Sequence, residues 1–450
     1  MLVSGIVYYT SLLVCISLGS NYKKIVDINM KRNYGTGLGI LLMCLICGTS
    51  VIYSMLMVWG NIIIIKCCDR RFMHQLSFTF TWMLLCYVHL NITNIYVIWL
   101  HQTLALKLVG LAYEMCAAQM RSDTKSVGAS KANDTDTTPE PTAIDIISYA
   151  YFFIGLHKGP YYRWKIFHDH FHESFGMLGD CTIVTEQKLK KTLICALGYW
   201  ALNYKYSKDL YFDDAFYNIF SAEVRYLYNL PHLTMYFLRH QAVMMMCTSV
   251  FTETGFGVYP AKCNPLPGYG PSARLSFLDV AANSTKAALE EEYNFSMIKC
   301  YNNEGVIMGP KMRDTMRGWD MPTRYWFWAY IEKSLVKSNK EVRSAFSLLT
   351  WTIWAGPSIP RFIIGVTLWV YVHLEAEYAS LYDTSGSMKM PWDIGFSIMR
   401  FFCLLYLTPC FVLQNTTVVM RYYYSIFWVF HIILFILMLS SIYLQSKAKS

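Results

Sequence analysis

Between Asp314 and Glu377 the chain sets out, in order, Trp319-Asp320-Met321-Pro322-Thr323, Trp326, Trp328, Arg343-Ser344-Ala345-Phe346, Trp354-Ala355-Gly356 and an apolar helix closing with His373-Leu374-Glu375-Ala376-Glu377. An aromatic-rich stretch that leads into a membrane helix, with polar groups just before and inside it, predicts a site sunk into a bilayer, where such groups are usually functional. Asp320 is its acid-base candidate, because burial raises a carboxyl group toward the range where it can exchange a proton. A second constellation is Gly159-Pro160-Tyr161-Tyr162-Arg163. Its Gly-Pro pair breaks a helix and leaves a guanidinium among aromatic rings, a setting suited to an anionic head group, and equally a plain helix stop with an interfacial anchor. His168, Asp169, His170 and His172 crowd the next turn. His168 and His172 share a helix face as zinc ligands do, but the stretch lacks the helix-borne Glu and distal third ligand of zinc motifs, so interfacial histidines are expected and no metal site.

Composition says what must position these residues. Of the 450 residues 54% are hydrophobic and 15% charged, and the mean hydropathy is +0.28. That is too little charge to coat several globular surfaces, so the expectation is an all-α, polytopic membrane protein with about nine to eleven membrane segments at roughly 20 residues each. The net charge of +9, from 39 Lys and Arg against 30 Asp and Glu, fits cytoplasmic loops facing anionic lipid and gives no reason to invoke nucleic acid. The 14 cysteines follow no disulfide or zinc spacing. Cys67-Cys68, beside Lys66, Arg70 and Arg71, reads as two small interfacial residues or a palmitoylation site.

Along the chain, residues 2–18 read as a first span, followed by a basic loop carrying Lys23, Lys24, Lys31 and Arg32. Residues 36–65 exceed one perpendicular span, which predicts tilt or a break near Gly60. Residues 76–100 read as one further span interrupted by His89 and Asn91, and residues 103–110 as a buried segment with one lysine. The Ser-, Thr-, Asp- and Pro-rich stretch 121–142 predicts a flexible loop. A span at about 189–204, a long helix over 223–250 containing Arg239 and His240, a Gly- and Pro-rich surface segment from Thr252 to Pro271, and two last spans at about 391–413 and 422–444 complete the chain. Residues 1–450 read as a single domain. No internal repeat of the transporter kind is visible.

The order Trp-Asn or Trp-Asp, a tryptophan-bearing spacer, Arg-Ser-Ala and Trp-His-Gly resembles the membrane-bound O-acyltransferase family, closest to its lysophosphatidylinositol acyltransferase branch. Here those elements are Trp319-Asp320, Trp326, Arg343-Ser344-Ala345 and Trp354-Ala355-Gly356, and Gly159-Pro160-Tyr161-Tyr162-Arg163 matches a Gly-Pro-aromatic-aromatic-Arg motif of the family. The resemblance covers roughly residues 100–380. It implies a helical shell around an intramembrane chamber, a multi-pass protein of the endoplasmic reticulum, and transfer of a fatty acyl group from acyl-CoA to a lysophospholipid hydroxyl. Acyl-CoA is then a co-substrate, with no bound cofactor, no metal and no implied protein partner. The catalytic positions it implies are Asp320 and Ala355; the substrate-binding ones are Gly159, Pro160, Tyr161, Arg163, Trp319, Trp326, Trp354 and Gly356.

One departure changes the chemistry. Where the family carries histidine as general base, this chain carries Ala355, and a methyl group accepts no proton. Losing a positioned base costs about a hundredfold to ten-thousandfold in rate. His373 shares the helix face but lies about 27 Å along a straight helix. Asp320 acting as base is the rescue the sequence offers. Two readings stand: an acyltransferase working slowly or through Asp320, and a silent relative that binds lipid or regulates.

Overall fold

A computed structural model describes residues 2–126, 140–172, 175–283, 288, 291–335, 338–381 and 386–449. The chain is mostly helical. In order the principal helices are α1 (Leu2–Lys23), α2 (Ile28–Cys47), α3 (Val51–Cys67), α4 (Met73–Asn91), α5 (Ile95–Ser126), α6 (Ala143–Tyr151), α7 (Trp164–His172), α8 (Cys181–Lys205), α9 (Asn229–Thr254), α10 (Met312–Gly318), α11 (Met321–Trp326), α12 (Lys340–Ala355), α13 (Ile359–Leu381), α14 (Lys389–Val412), α15 (Thr416–Ser425) and α16 (Val429–Lys449). Among the described residues, six helical stretches are long and apolar enough to cross a membrane: Val3–Lys23, Ile28–Cys67, Ile95–Ala118, Ile359–Ser380, Gly386–Val412 and Val429–Ser446. That is a multi-span membrane architecture.

Several boundaries differ from expectation for local reasons. The long second run breaks at Gly48, whose φ of 54° suits glycine, and not at Gly60, which stays helical inside α3. Lys31 and Arg32 belong to α2, because Asp27 caps that helix by accepting from the Met30 amide. The expected span 76–100 is two helices, α4 ending at Asn91 and α5 starting at Ile95. The last expected span divides likewise, since Phe427 and Trp428 take positive φ between α15 and α16. The expected loop 121–142 is helical as far as Ser126, and residues 127–139 lie outside the described residues. The segment from Thr252 to Pro260 is buried, contrary to the surface position expected of it. Gly255 explains this: a Cβ there would sit 2.7 Å from the Gly176 Cα, so two glycine backbones press together and shut water out.

The chain forms two compact units. The first comprises Met1–Thr192, Val243–Cys300 and Met321–Ser334. Here α2 turns a glycine face to the 151–153 backbone: a Cβ on Gly39 would lie 1.7 Å from the Tyr151 carbonyl oxygen, and the Phe153 amide donates to the Gly35 carbonyl at 3.2 Å. Small residues four apart are how membrane helices admit close backbone contact. Asn61 links α3 to α4, donating to Thr81 at 2.9 Å and accepting from Ser77 at 2.5 Å. Two pairs of two-residue strands, Tyr259–Pro260 with Tyr293–Asn294 and Pro265–Leu266 with Gly270–Pro271, are antiparallel clips.

The second unit comprises Leu193–Ala242, Tyr301–Asp320 and Leu335–Ser450. Its core is aromatic, with Tyr211, Phe216, Tyr406, Tyr422 and Tyr423 buried beside Ile364 and Leu407. Helices α12 and α13 form an antiparallel pair: a Cβ on Gly365 would meet the Thr352 methyl at 2.5 Å, and His373 Nε2 lies 3.4 Å from Ser344 Oγ. Those two contacts share one register, and it sets Ala355 opposite Phe362. The polar groups of α13 have structural partners: Glu375 accepts from the Met312 and Arg313 amides at 2.7 and 3.2 Å, capping α10, and Glu377 accepts from Ser441 at 2.7 Å.

Candidate active site

The sequence-predicted residues fall into two groups, one in each unit. In the first unit, α6 ends at Tyr151, and the chain then runs irregularly to Gly159, where a φ of 100° requires glycine, and Pro160. Tyr161 and Arg163 follow. Tyr161 and Tyr330 hydroxyls meet at 3.1 Å; Tyr330 donates to Glu114 Oε1 at 3.1 Å, and the Trp164 amide donates to the same oxygen at 3.2 Å. Arg163 lies over the Tyr269 ring at 4.2 Å. Burial works against its charge, but the nearby Glu114 carboxylate outweighs that and holds the guanidinium above its ordinary pKa. Burial first, and then the Glu114 charge, push the Tyr330 phenol well above its usual range, and Tyr325 is pushed up to about 12 mainly by burial. These hydroxyls therefore stay protonated, Tyr330 donating to Glu114 and Tyr325 accepting from Arg163.

Trp326 completes this group. It is fully buried, donates from Nε1 to the Leu106 carbonyl at 2.9 Å and stacks on Trp82 with centroids 5.3 Å apart. Gly110 makes room for it: a Cβ there would lie 2.5 Å from Tyr161 Oη and 3.2 Å from Trp326 Nε1. The adjoining cavity, lined by Arg163, Lys165, Asp169 and Tyr269 among others, has a volume of about 10 Å³, which is space for one water-sized molecule. His168 and His172 stack with centroids 4.1 Å apart, and buried His170 meets Tyr22 Oη at 3.0 Å. Among the described residues, no three or more His, Cys, Asp and Glu side chains gather as a metal site.

In the second unit, Trp319 and Asp320 follow α10. The α10 backbone is fixed by the Asn302 amide donating to the Gly318 carbonyl at 2.9 Å, and by Arg400, which donates to Thr315 and to the Val306 and Ile307 carbonyls at 2.7–2.9 Å. Asp320 has a φ of 41°, a left-handed conformation uncommon outside glycine that Asp tolerates better than most residues. The Trp319 indole lies nearly parallel to the His240 ring, centroids 4.8 Å apart at 11°, and to Tyr236 at 5.9 Å and 12°. Phe237 and Tyr301 meet the indole at steep angles, both at 5.0 Å. Arg361, Arg239 and Asp320 all act electrostatically on Tyr236.

Trp354 and Ala355 end α12, and Gly356 caps it at φ 133°, its amide donating to the Thr352 and Ile353 carbonyls. The α12–α13 register places His373 eleven residues beyond Phe362, the partner of Ala355, about 16 Å along the helix, so that imidazole serves Ser344. Sequence reasoning gave no role to Tyr236, His240 and Arg361. Tyr236 and His240 are four apart on α9 and so share a face, but only the fold shows which tryptophan covers them.

The chain aligns almost end to end with proteins of one description. It is 26% identical to the membrane-bound acylglycerophosphatidylinositol O-acyltransferase of Drosophila melanogaster over 475 residues, covering 100% of this chain and 94% of that protein. The protein of the same description from Xenopus laevis is 25% identical over 90% of this chain and 86% of its own length. The human one is 24% identical over 94% of this chain and 90% of its own. No family model matches the chain. What these alignments establish is distant homology to the membrane-bound O-acyltransferases, and with it an acyltransferase lineage.

Proposed function

We propose that this protein transfers a fatty acyl group from acyl-CoA to the free hydroxyl of a lysophospholipid of the lysophosphatidylinositol type, with the proton handled on the Asp320 side of the site. The observation that carries this reading is near-full-length similarity to relatives named for acyl transfer to that lipid class. Trp319 and Asp320 support it, since a carboxylate held in left-handed backbone beside a clamped indole is the strained, positioned arrangement that functional residues tolerate. In this reading Trp354 and Gly356 shape the α12 end of the site, and Gly159, Pro160, Tyr161, Arg163 and Trp326 are substrate contacts. Arg163 would meet a head group with a charge already shared with Glu114, so its contribution is the smaller one. The expected setting is the endoplasmic reticulum membrane. The proposed count stays at about nine to eleven membrane segments, with the long but more polar α4, α8 and α9 proposed as further segments beside the six apolar stretches.

A second reading is favoured by one observation, the methyl group of Ala355 where an imidazole would take the proton. It makes the protein a silent relative that keeps a lipid site. The two separate on purified full-length protein given arachidonoyl-CoA and a panel of lysophosphatidylinositol, lysophosphatidylserine and lysophosphatidylcholine. The proposed function predicts phosphatidylinositol as the main product of the parent chain. Product appearing only in an Ala355→His variant supports the silent relative.

A further inference from the structure

We infer that His240 replaces the missing imidazole, accepting the proton of the lipid hydroxyl with Asp320 as its charge partner. The inference rests on the proposed acyl transfer and deepens it. Three observations place His240 there. Its ring stacks on Trp319, the residue bonded to Asp320, at 4.8 Å and 11°. Tyr236, one turn earlier on α9, also lies parallel to Trp319 with centroids 5.9 Å apart, and Asp320 and Arg361 both act on it electrostatically, so this face of α9 lies toward the Trp319-Asp320 end. His240 is also only partly buried, unlike His170 and His232. The groups around it are Tyr236 and Arg239 on its own helix, Tyr301 at 6.0 Å, and Trp319, whose chain neighbour is Asp320.

The step balances without a further reactant. An imidazole nitrogen takes the hydroxyl proton as the lipid oxygen bonds to the thioester carbonyl carbon. The carbon–sulfur bond then breaks, its electron pair stays on sulfur, and the imidazolium gives the proton to the departing thiolate. The products are the phospholipid ester and the coenzyme A thiol. An imidazole suits both transfers because its pKa lies near neutrality, and the Asp320 carboxylate stabilises the imidazolium between them.

The test compares parent, His240→Gln and His240→Ala full-length proteins with arachidonoyl-CoA and lysophosphatidylinositol, each with and without added imidazole, and records thermal unfolding of each. The expected result is a loss of at least about a hundredfold in both variants, an unchanged unfolding midpoint, and partial recovery of His240→Ala with imidazole. A parent rate kept within about threefold by both variants overturns the role of His240 and leaves acyl transfer standing. Loss that imidazole does not restore, with a lowered midpoint, makes His240 a packing residue and overturns it too. A parent chain that forms no product overturns the acyl-transfer reading, and the His240 role with it.

Discussion

The two aromatic sites differ in how their polar atoms are used. In the first unit, Glu114 accepts from Tyr330 and the Trp164 amide and balances Arg163, Arg163 lies on Tyr269, and Trp326 is tied to Leu106. In the second unit, Trp319 is held by ring stacking with His240 and Tyr236, and Arg361, Arg239 and Asp320 act electrostatically on Tyr236. Apart from the buried Arg163 Nε, which has no hydrogen-bond partner, the donors and acceptors of the first unit's aromatic site are paired, and such a network rigidifies a core. A cluster of one imidazole, one carboxylate and one phenol flanked by guanidiniums is the richer setting for moving protons. Under the proposed function, positioning would fall to the first unit and chemistry to the second.

Stability and turnover should therefore respond separately. The largest stability loss belongs to Glu114→Gln, which weakens the acceptor shared by Tyr330 and the Trp164 amide and removes the charge facing Arg163; thermal unfolding should show about 2.5 kcal/mol, and a loss under about 0.5 kcal/mol would remove this account of the first unit. Gly110→Ala comes next, because its methyl group would overlap Tyr161 Oη; overpacking of this kind costs about 2 kcal/mol, readable as a lower unfolding midpoint. Trp326→Phe keeps the stack on Trp82 and loses the bond to Leu106, worth about 1 kcal/mol. The smallest stability effect belongs to Ala355→His, at the partly exposed end of α12, where a change within about 0.5 kcal/mol is expected. That same variant should raise product formation, and an equal response of stability and rate across all four variants would erase the distinction between the units.

Much of this was legible in the residues themselves. Composition and apolar runs marked a helical membrane protein, and 103–110 is buried as its pattern predicted. Helix ends were less legible. Gly48 and Gly60 both sit in apolar sequence, and only packing decides that Gly60 stays helical, where a Cβ would meet the Phe80 ring at 2.3 Å. The partners of Arg163 were hidden because Glu114 is 49 residues away in the chain, inside an apolar helix. Glu375 and Glu377 carried the signal expected of functional polar groups and turn out to satisfy a helix start and a serine. His240 looked like one more polar residue in a long helix, because a stack on a tryptophan from another segment leaves no local trace.

The central claim is that proton transfer has moved from position 355 to the Trp319-Asp320 side, and its most direct measurement is the rate of phosphatidylinositol formation by Asp320→Asn beside the parent chain. The account predicts a fall of at least about a hundredfold with binding of lysophosphatidylinositol retained. An Asp320→Asn protein that keeps the parent's rate would contradict it.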